Sequence, residues 1–176
     1  LHAMEEPDHR DSIGNFDSLL RLHGVCGIQA VDTRAITRRV REFGTLLCVF
    51  GPLSEEEGMR ARLEKMLPPD LEDLVDEVSI DEPVILNRGV TTSDGQPLPR
   101  LGVLDCGIKY NILRELCRRF EVVWAPPDIG YSRLTKEFAI DAMFCSNGPG
   151  DPAHPGKAMK ARLALAAAVA DGMPTM

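Results

Sequence analysis

The stretch RLGVLDCGIKYNILRELCRRFEVVWA, from Arg100 to Ala125, predicts a strand, a helix and a second strand, and it decides the fold class. "RLGVLD" (100–105) and "EVVWA" (121–125) are short apolar runs typical of strands in a buried parallel sheet. Between them, apolar residues recur at every fourth position from Ile108 to Phe120, as expected for a helix that lies on a sheet.

The alternation of helices and strands continues to residue 170. Ser132–Phe138 predicts a short helix, "IDAMFC" (140–145) a third strand, and Gly156–Ala170 an alanine-rich helix. Alternation of this kind predicts an α/β fold, with helices on both faces of an open, mostly parallel sheet in three layers. Ligands of such folds bind beyond the carboxyl ends of the strands.

The sequence pattern before residue 98 predicts a smaller, mixed α/β domain. Its predicted elements are a helix 16–23 capped by Asn15, a helix 33–43 capped by Asp32, a buried strand 45–50, and a helix opened by a capping box between Ser54 and Glu57. The polar segment 81–100, with its glycine and proline residues, predicts a linker. We therefore expect two domains, residues 1–97 including the linker and residues 98–176.

The composition of the chain argues against several classes of function. A net charge of -7 argues against a nucleic-acid surface, which needs a basic footprint. No apolar run is long enough to span a membrane. The five cysteines are scattered without a C-x-x-C pair, so we expect neither a zinc site nor another metal site, and a reducing cytoplasm is the simplest location.

The loop in "MFCSNGPGDPAHPG" (143–156) follows the third strand and is the first site candidate. A Walker-type phosphate loop is excluded, because five residues separate Gly150 from Gly156 and Ala158 has no hydroxyl for Mg²⁺. Two interpretations remain equally open from local chemistry. The loop is either a plain turn or a rigid backbone frame that aims the Gly148 N–H at a developing oxyanion.

A cysteine nucleophile is the second candidate, because Cys106 follows a predicted strand and precedes a glycine and a predicted helix. A nucleophilic cysteine needs a base. The available histidines are His2, His9, His23 and His154. Small buried thiols are the better interpretation of both Cys106 and Cys145.

A third candidate is the basic stripe of the second helix, formed by Arg34, Arg38, Arg39 and Arg41. A solvated face of an amphipathic helix is the better interpretation, and a subunit-docking face is the weaker one.

Three ordered stretches resemble one family. "SNGPGDP" (146–152) resembles the signature loop of class I glutamine amidotransferases, in the version of the small chain of carbamoyl-phosphate synthetase. "GVLDCGIKYNILREL" (102–116) is similar to the opening strand and helix of that domain, and "GIQAVDTRAITRRVREFG" (27–44) to a helix of the small chain's own amino-terminal domain. Cys106 stands where the family usually has Phe.

The resemblance implies glutamine-dependent synthesis of carbamoyl phosphate, for pyrimidine or arginine formation. A cysteine thiolate would attack the glutamine amide, form a thioester and release ammonia to a large synthetase subunit or to fused synthetase domains. That partner would use ATP, Mg²⁺ and bicarbonate, and no cofactor is expected in this chain. Gly148 and Gly150 match the positions whose backbone contacts glutamine.

The resemblance also implies that these 176 residues contain none of the catalytic triad. The family's nucleophile lies in a Gly-Ile-Cys-Leu-Gly-His-Gln segment after the strand that follows "DGMP" (171–174). We therefore expect a piece of a longer protein, cut at both ends and inactive by itself. The alternative is a small-chain homologue without a nucleophile, which acts as a scaffold or activator of the synthetase.

Overall fold

The computed structural model describes residues 12 and 14–176, and the chain divides into two compact units, one up to Leu46 and one from Leu47. The first unit contains helix α1 (Phe16–Leu22) and helix α2 (Thr33–Phe43). Both predicted caps are confirmed. The Asn15 side chain accepts a hydrogen bond from Ser18 N at 2.8 Å, and the Asp32 side chain accepts one from Ala35 N at 2.9 Å.

Two sequence predictions for residues 45–57 are wrong. Residues 45–50 form no strand, since an apolar run becomes a strand only where a neighbouring strand completes its hydrogen bonds. The capping box of Ser54 and Glu57 is absent, because a 3-10 turn over Leu53–Glu55 runs directly into helix α3 (Glu56–Leu63). Ser54 therefore lies inside that turn rather than at the cap of the helix.

The second unit is built on a four-stranded sheet, which confirms the predicted α/β class. Its strands are β1 (Val84–Leu86), β2 (Arg100–Leu104), β3 (Glu121–Ala125) and β4 (Ala142–Cys145). The spatial order is β1-β3-β2-β4, and only β1 runs antiparallel to its neighbour. Residues 174–176 continue this sheet beyond β4, because Met143 N donates to Pro174 O and Cys145 N donates to Met176 O, both at 2.9 Å.

Helices cover both faces of this sheet, as the sequence predicts. The second unit adds α4 (Leu74–Val78), α5 (Tyr110–Leu116), α6 (Tyr131–Phe138) and α7 (Lys157–Ala170). On one face, α4, α6 and α7 bury Val75, Leu134 and Ala161 against β2, β3 and β4. On the other face, α5 buries Leu113 against Leu101, Val103 and Val122. No helix of the described residues combines the length and the apolarity that crossing a bilayer needs.

Part of the predicted linker is structured. Strand β1 pairs with β3, and the Asn87 side chain donates to the carbonyl oxygens of Cys117 at 2.6 Å and Phe120 at 3.2 Å. A three-residue strand is too short to show an alternating pattern, so sequence reasoning missed it. The predicted domain boundary near residue 97 stays a prediction.

Candidate functional site

The loop after β4 borders a cavity of about 380 Å³ at the carboxyl edge of the sheet. The ends of β2 and β4 contribute Cys106 and Cys145, and helix α7 contributes Ala158, Ala161 and Arg162. Gly148 and Gly150 both line this cavity. The structure therefore brings the two predicted binding residues to one concave site, where α/β folds hold their ligands.

Ser146 fixes the start of the loop to the neighbouring strand. Its N–H donates to Leu104 O at 3.1 Å, and its hydroxyl accepts a hydrogen bond from Cys106 N at 2.9 Å. The residue is only 7% exposed. Buried polar groups hold position well when they are fully paired, so the loop leaves the sheet from a defined point.

The two glycines are required for different reasons. A Cβ at Gly148 would overlap the Cys106 carbonyl oxygen, so only glycine permits this approach of the two backbones. Gly150 has room for a Cβ, but its φ of +74° lies in the left-handed region that other residues avoid. No described residue accepts a hydrogen bond from the N–H of Gly148 or Gly150. Two backbone donors of this cavity-lining loop are therefore not used by the described residues.

Asp105 is a buried carboxylate that sequence reasoning missed. It is 1% exposed, and its Oδ1 accepts from Gly107 N at 3.0 Å and from Ile108 N at 2.9 Å. Its Oδ2 accepts from Ile80 N at 3.0 Å. The Asp105 carboxylate thus holds the turn between β2 and α5 through two backbone N–H groups and attaches residue 80 to that turn through a third. An acidic residue at a strand end, two residues before a glycine, was the available signal.

The two cysteines in the cavity shift each other's pKa in opposite directions. Hydrogen bonding to Cys145, burial and the negative charge of Asp105 raise the pKa of the Cys106 thiol. A hydrogen bond from Cys106 lowers the pKa of Cys145 to about 7. Cys106 therefore stays protonated at neutral pH, which disfavours it as a nucleophile and agrees with its interpretation as a buried thiol.

Neither of the two described histidines is placed to act as a base for Cys106 or Cys145. His23 is the C-cap residue of α1, in the other unit. His154 Nδ1 accepts a hydrogen bond from Gly156 N at 3.2 Å and lies 3.9 Å from Asp73 Oδ1. His2 and His9 lie outside the described residues. Among the described residues, the structure thus assembles no cysteine–histidine pair.

The start of α7 agrees with the exclusion of a phosphate loop. A helix N-terminus attracts anions, but here the N–H of Lys157 already donates to Asp73 Oδ2 at 2.9 Å. The Lys157 ammonium pairs with Asp76 at 2.8 Å and donates to Ser79 Oγ at 3.2 Å. The backbone N–H and the ammonium of Lys157 are therefore already paired with the protein's own groups.

The arginine stripe lies on the exposed surface of α2, in the first unit. Arg34, Arg38 and Arg41 line a shallow polar depression together with Thr33 and Thr37. No described acidic residue pairs with these arginines, which fits a solvated helix face. The residues that the structure describes contain no cluster of three or more His, Cys, Asp or Glu side chains suited to a metal ion.

Comparison with known proteins finds similarity to carbamoyl phosphate synthase small chains. A family model described as carbamoyl-phosphate synthase small chain, CPSase domain, matches residues 2–50. The carbamoyl phosphate synthase small chain of Pyrobaculum aerophilum is 38% identical over 148 residues, which are 83% of this chain and 39% of the relative. The small chain of Nitratidesulfovibrio vulgaris is 37% identical over 171 residues, which are 89% of this chain and 43% of the relative.

A longer relative also matches. The protein called multifunctional protein CAD of Squalus acanthias is 35% identical over 153 residues, which are 85% of this chain and 6% of the relative. The chain therefore spans about two fifths of the small chains that it matches and a small part of the longer protein.

Proposed function

Since the chain is related to the carbamoyl phosphate synthase small chains through most of its length, we propose that its full-length protein hydrolyses glutamine to supply ammonia for carbamoyl-phosphate synthesis. The observation that carries this proposal is the loop of Gly148 and Gly150. It borders a cavity at the carboxyl edge of the sheet and keeps two backbone N–H groups free of protein acceptors.

The chemistry assigned to these residues is stabilisation of negative charge. Attack of a thiolate on the glutamine side-chain amide converts its carbonyl oxygen into an oxyanion. A backbone N–H that is already in place lowers the energy of that oxyanion without reorganising during the reaction. Gly148 is our candidate donor, because its position is fixed against the Cys106 carbonyl.

The nucleophile belongs, in this proposal, to sequence beyond the 176 residues. The thiolate forms a thioester with the glutamine acyl carbon while ammonia leaves, and water then releases glutamate and regenerates the thiol. Residues 174–176 run alongside β4 next to the cavity. Because this pairing is parallel, residues 174–176 run towards the carboxyl edge of the sheet, where the cavity lies.

We also propose a synthetase partner that consumes the ammonia together with bicarbonate, ATP and Mg²⁺. It is a separate large subunit or a fused region. The relatives support either arrangement, because this chain matches 39% of one small chain and 6% of a much longer protein. All five cysteines are free, which is compatible with our proposal of a cytoplasmic location.

The test is glutamine hydrolysis by the full-length protein, measured as glutamate and ammonia released, with and without its synthetase. We expect turnover that is lost when the downstream cysteine is replaced by serine. A full-length protein that releases no ammonia from glutamine, yet raises the ammonia-dependent rate of the synthetase, would overturn the proposal in favour of a scaffold or activator.

A further inference from the structure

Asp73 joins two helices that lie far apart in sequence. Its Oδ1 accepts a hydrogen bond from Asp76 N at 3.3 Å and so caps α4, while its Oδ2 accepts one from Lys157 N at 2.9 Å at the start of α7. One carboxylate therefore satisfies backbone donors of two helix N-termini that are 84 residues apart.

The neighbouring backbone is shaped around this carboxylate. A Cβ at Gly156 would overlap the Asp73 carboxylate, so the glycine just before α7 leaves the space that the side chain fills. A second tie lies beside it, where Lys157 Nζ pairs with Asp76 at 2.8 Å. The hydrogen bond with Asp76 raises the pKa of Lys157, so this pair stays charged at neutral pH.

The residues fixed in this way end the loop that faces the cavity. Ser146 anchors the start of the loop to β2, and Asp73 anchors its end at Lys157. Between these two points, the side-chain hydrogen bonds that the structure shows join residues close in sequence. One example is the bond from Ala153 N to Asp151 Oδ1 at 2.8 Å. The far end of the loop is thus held to α4 by the Asp73 carboxylate on the backbone N–H of Lys157 and by the Lys157–Asp76 pair on its side chain.

The segment that carries Asp73 also forms a wall of the site. Val75 lines the cavity and is 5% exposed. A Cβ at Gly150 would lie 3.7 Å from Leu74 Cδ1 and 3.8 Å from Pro69 O, so the segment 69–78 passes directly beside Gly150. Loosening the attachment of α4 would therefore change both the wall and the loop.

We propose that Asp73 is a positioning residue of the glutamine site, which holds Gly148 and Gly150 in place by tying α4 to the start of α7. This role rests on the proposed function for its ligand, but the tie itself is visible in the geometry. A misplacement of binding groups by about 1 Å can lower catalytic efficiency by about 100-fold.

The experiment uses the full-length protein assembled with its synthetase and the variant Asp73→Ala, with Glu77→Ala as the matched control. Glu77 is an exposed acidic residue of α4 without a hydrogen bond to α7. We expect Asp73→Ala to lower kcat/KM for glutamine by about 10- to 100-fold, while the rate with added ammonium salt stays unchanged. Glu77→Ala should change neither rate.

A second variant distinguishes the effect of the bond to Lys157 N from the effect of the cap of α4. Asp73→Ser keeps a residue suited to capping α4 but has only one short acceptor, so the bond to Lys157 N is lost. Hydrogen exchange of residues 147–157 should accelerate in both Asp73 variants and stay unchanged in Glu77→Ala.

Three results would overturn the inference: unchanged exchange of the loop, an unchanged kcat/KM for glutamine, or equal losses of the glutamine-dependent and ammonia-dependent rates. A wild-type protein that turns over no glutamine would instead contradict the proposed function, and the exchange data would still decide whether Asp73 holds the loop.

Discussion

At the scale of single residues, the site depends on backbone atoms rather than on catalytic side chains. Gly148 is needed for a close approach to Cys106, and Gly150 is needed for its left-handed φ. The chemistry of such a loop lies in its N–H groups, which any residue except proline carries, and the glycines are required only because the path of the chain excludes a Cβ.

Replacing Gly148 by Ala should therefore disrupt the site. The added Cβ meets the Cys106 carbonyl oxygen, a backbone atom that cannot move without shifting the end of β2. We expect glutamine hydrolysis by the full-length protein to fall at least about 100-fold, the loss typical for removal of one oxyanion donor. The control is Gly58→Ala, which adds a Cβ into open space on α3. Equal turnover by Gly148→Ala and Gly58→Ala would contradict the assignment of Gly148.

The thiol of Cys145 should show a distinctive pH dependence. Its pKa is lowered to about 7 by the hydrogen bond from Cys106, so the reactive thiolate is present at a lower pH than for an ordinary cysteine. We expect the rate of its alkylation by iodoacetamide, followed by peptide mass spectrometry, to rise through pH 7. In Cys106→Ala the hydrogen bond is gone and the midpoint should move to higher pH. The same midpoint in both proteins would show that the two thiols do not interact.

At the scale of elements, the strand ends opposite the site are held by a partly buried ion pair. Glu121 at the start of β3 is 8% exposed and accepts hydrogen bonds from Gly89 N at 3.0 Å and Arg100 Nε at 2.7 Å. Arg100, at the start of β2, also donates to Phe138 O at 2.6 Å. These contacts fasten β2, β3 and the end of α6 together, away from the cavity.

Glu121 should therefore matter for stability and not for glutamine chemistry. The hydrogen bond from Gly89 and the charge of Arg100 lower the pKa of its carboxyl below the ordinary value of 4.5. A depressed carboxyl pKa stabilises the fold above the pKa of the unfolded chain, and the contribution is lost as pH falls through the folded pKa. We expect Glu121→Gln to lower the free energy of unfolding by about 1–3 kcal/mol at pH 7.

Denaturant titrations at several pH values measure this effect. The difference between wild type and Glu121→Gln should shrink progressively below about pH 4.5, because the unfolded carboxyl is protonated first and the folded carboxyl becomes neutral at a still lower pH. A difference that is constant from pH 7 to pH 3 would mean that the loss of a contact other than the charged pair causes the destabilisation.

Elements also show where sequence patterns succeed. The apolar runs 100–105 and 121–125 become β2 and β3 because both of their faces are buried, and burial makes the pattern continuous. The equally apolar run 45–50 forms no strand. Helix α4 was not predicted, because its five residues are too few for a helical period and its position depends on Asp73 and Val75.

At the scale of the whole molecule, the two units differ in how much they bury. In α1 and α2 no residue is buried, and Ile36, Val40 and Phe43 are 44–65% exposed. The second unit contains both hydrophobic clusters, on the two faces of its sheet. Among the residues that the structure describes, the folding free energy from apolar burial therefore resides mainly in the second unit.

The 176-residue chain, purified by itself, should release no ammonia from glutamine. Among the described residues neither Cys106 nor Cys145 has a histidine as a hydrogen-bond partner, so even a Cys145 thiolate lacks the general acid that would protonate the leaving ammonia. A coupled glutamate assay with the Cys106→Ser, Cys145→Ser double variant as the blank checks this expectation. Turnover above that blank would place the nucleophile within these residues.

The sequence by itself determined the sheet-forming runs, the helix caps of α1 and α2, the loop that faces the cavity, and the family resemblance. These are local properties, since caps, periodicity and glycine-proline turns act over a few neighbouring residues. Only the tertiary structure decided why Gly148 must be glycine, which donors Asp105 holds, and that Asp73 reaches the start of α7. Each of these depends on atoms brought together from distant parts of the chain, and no local pattern encodes such distances.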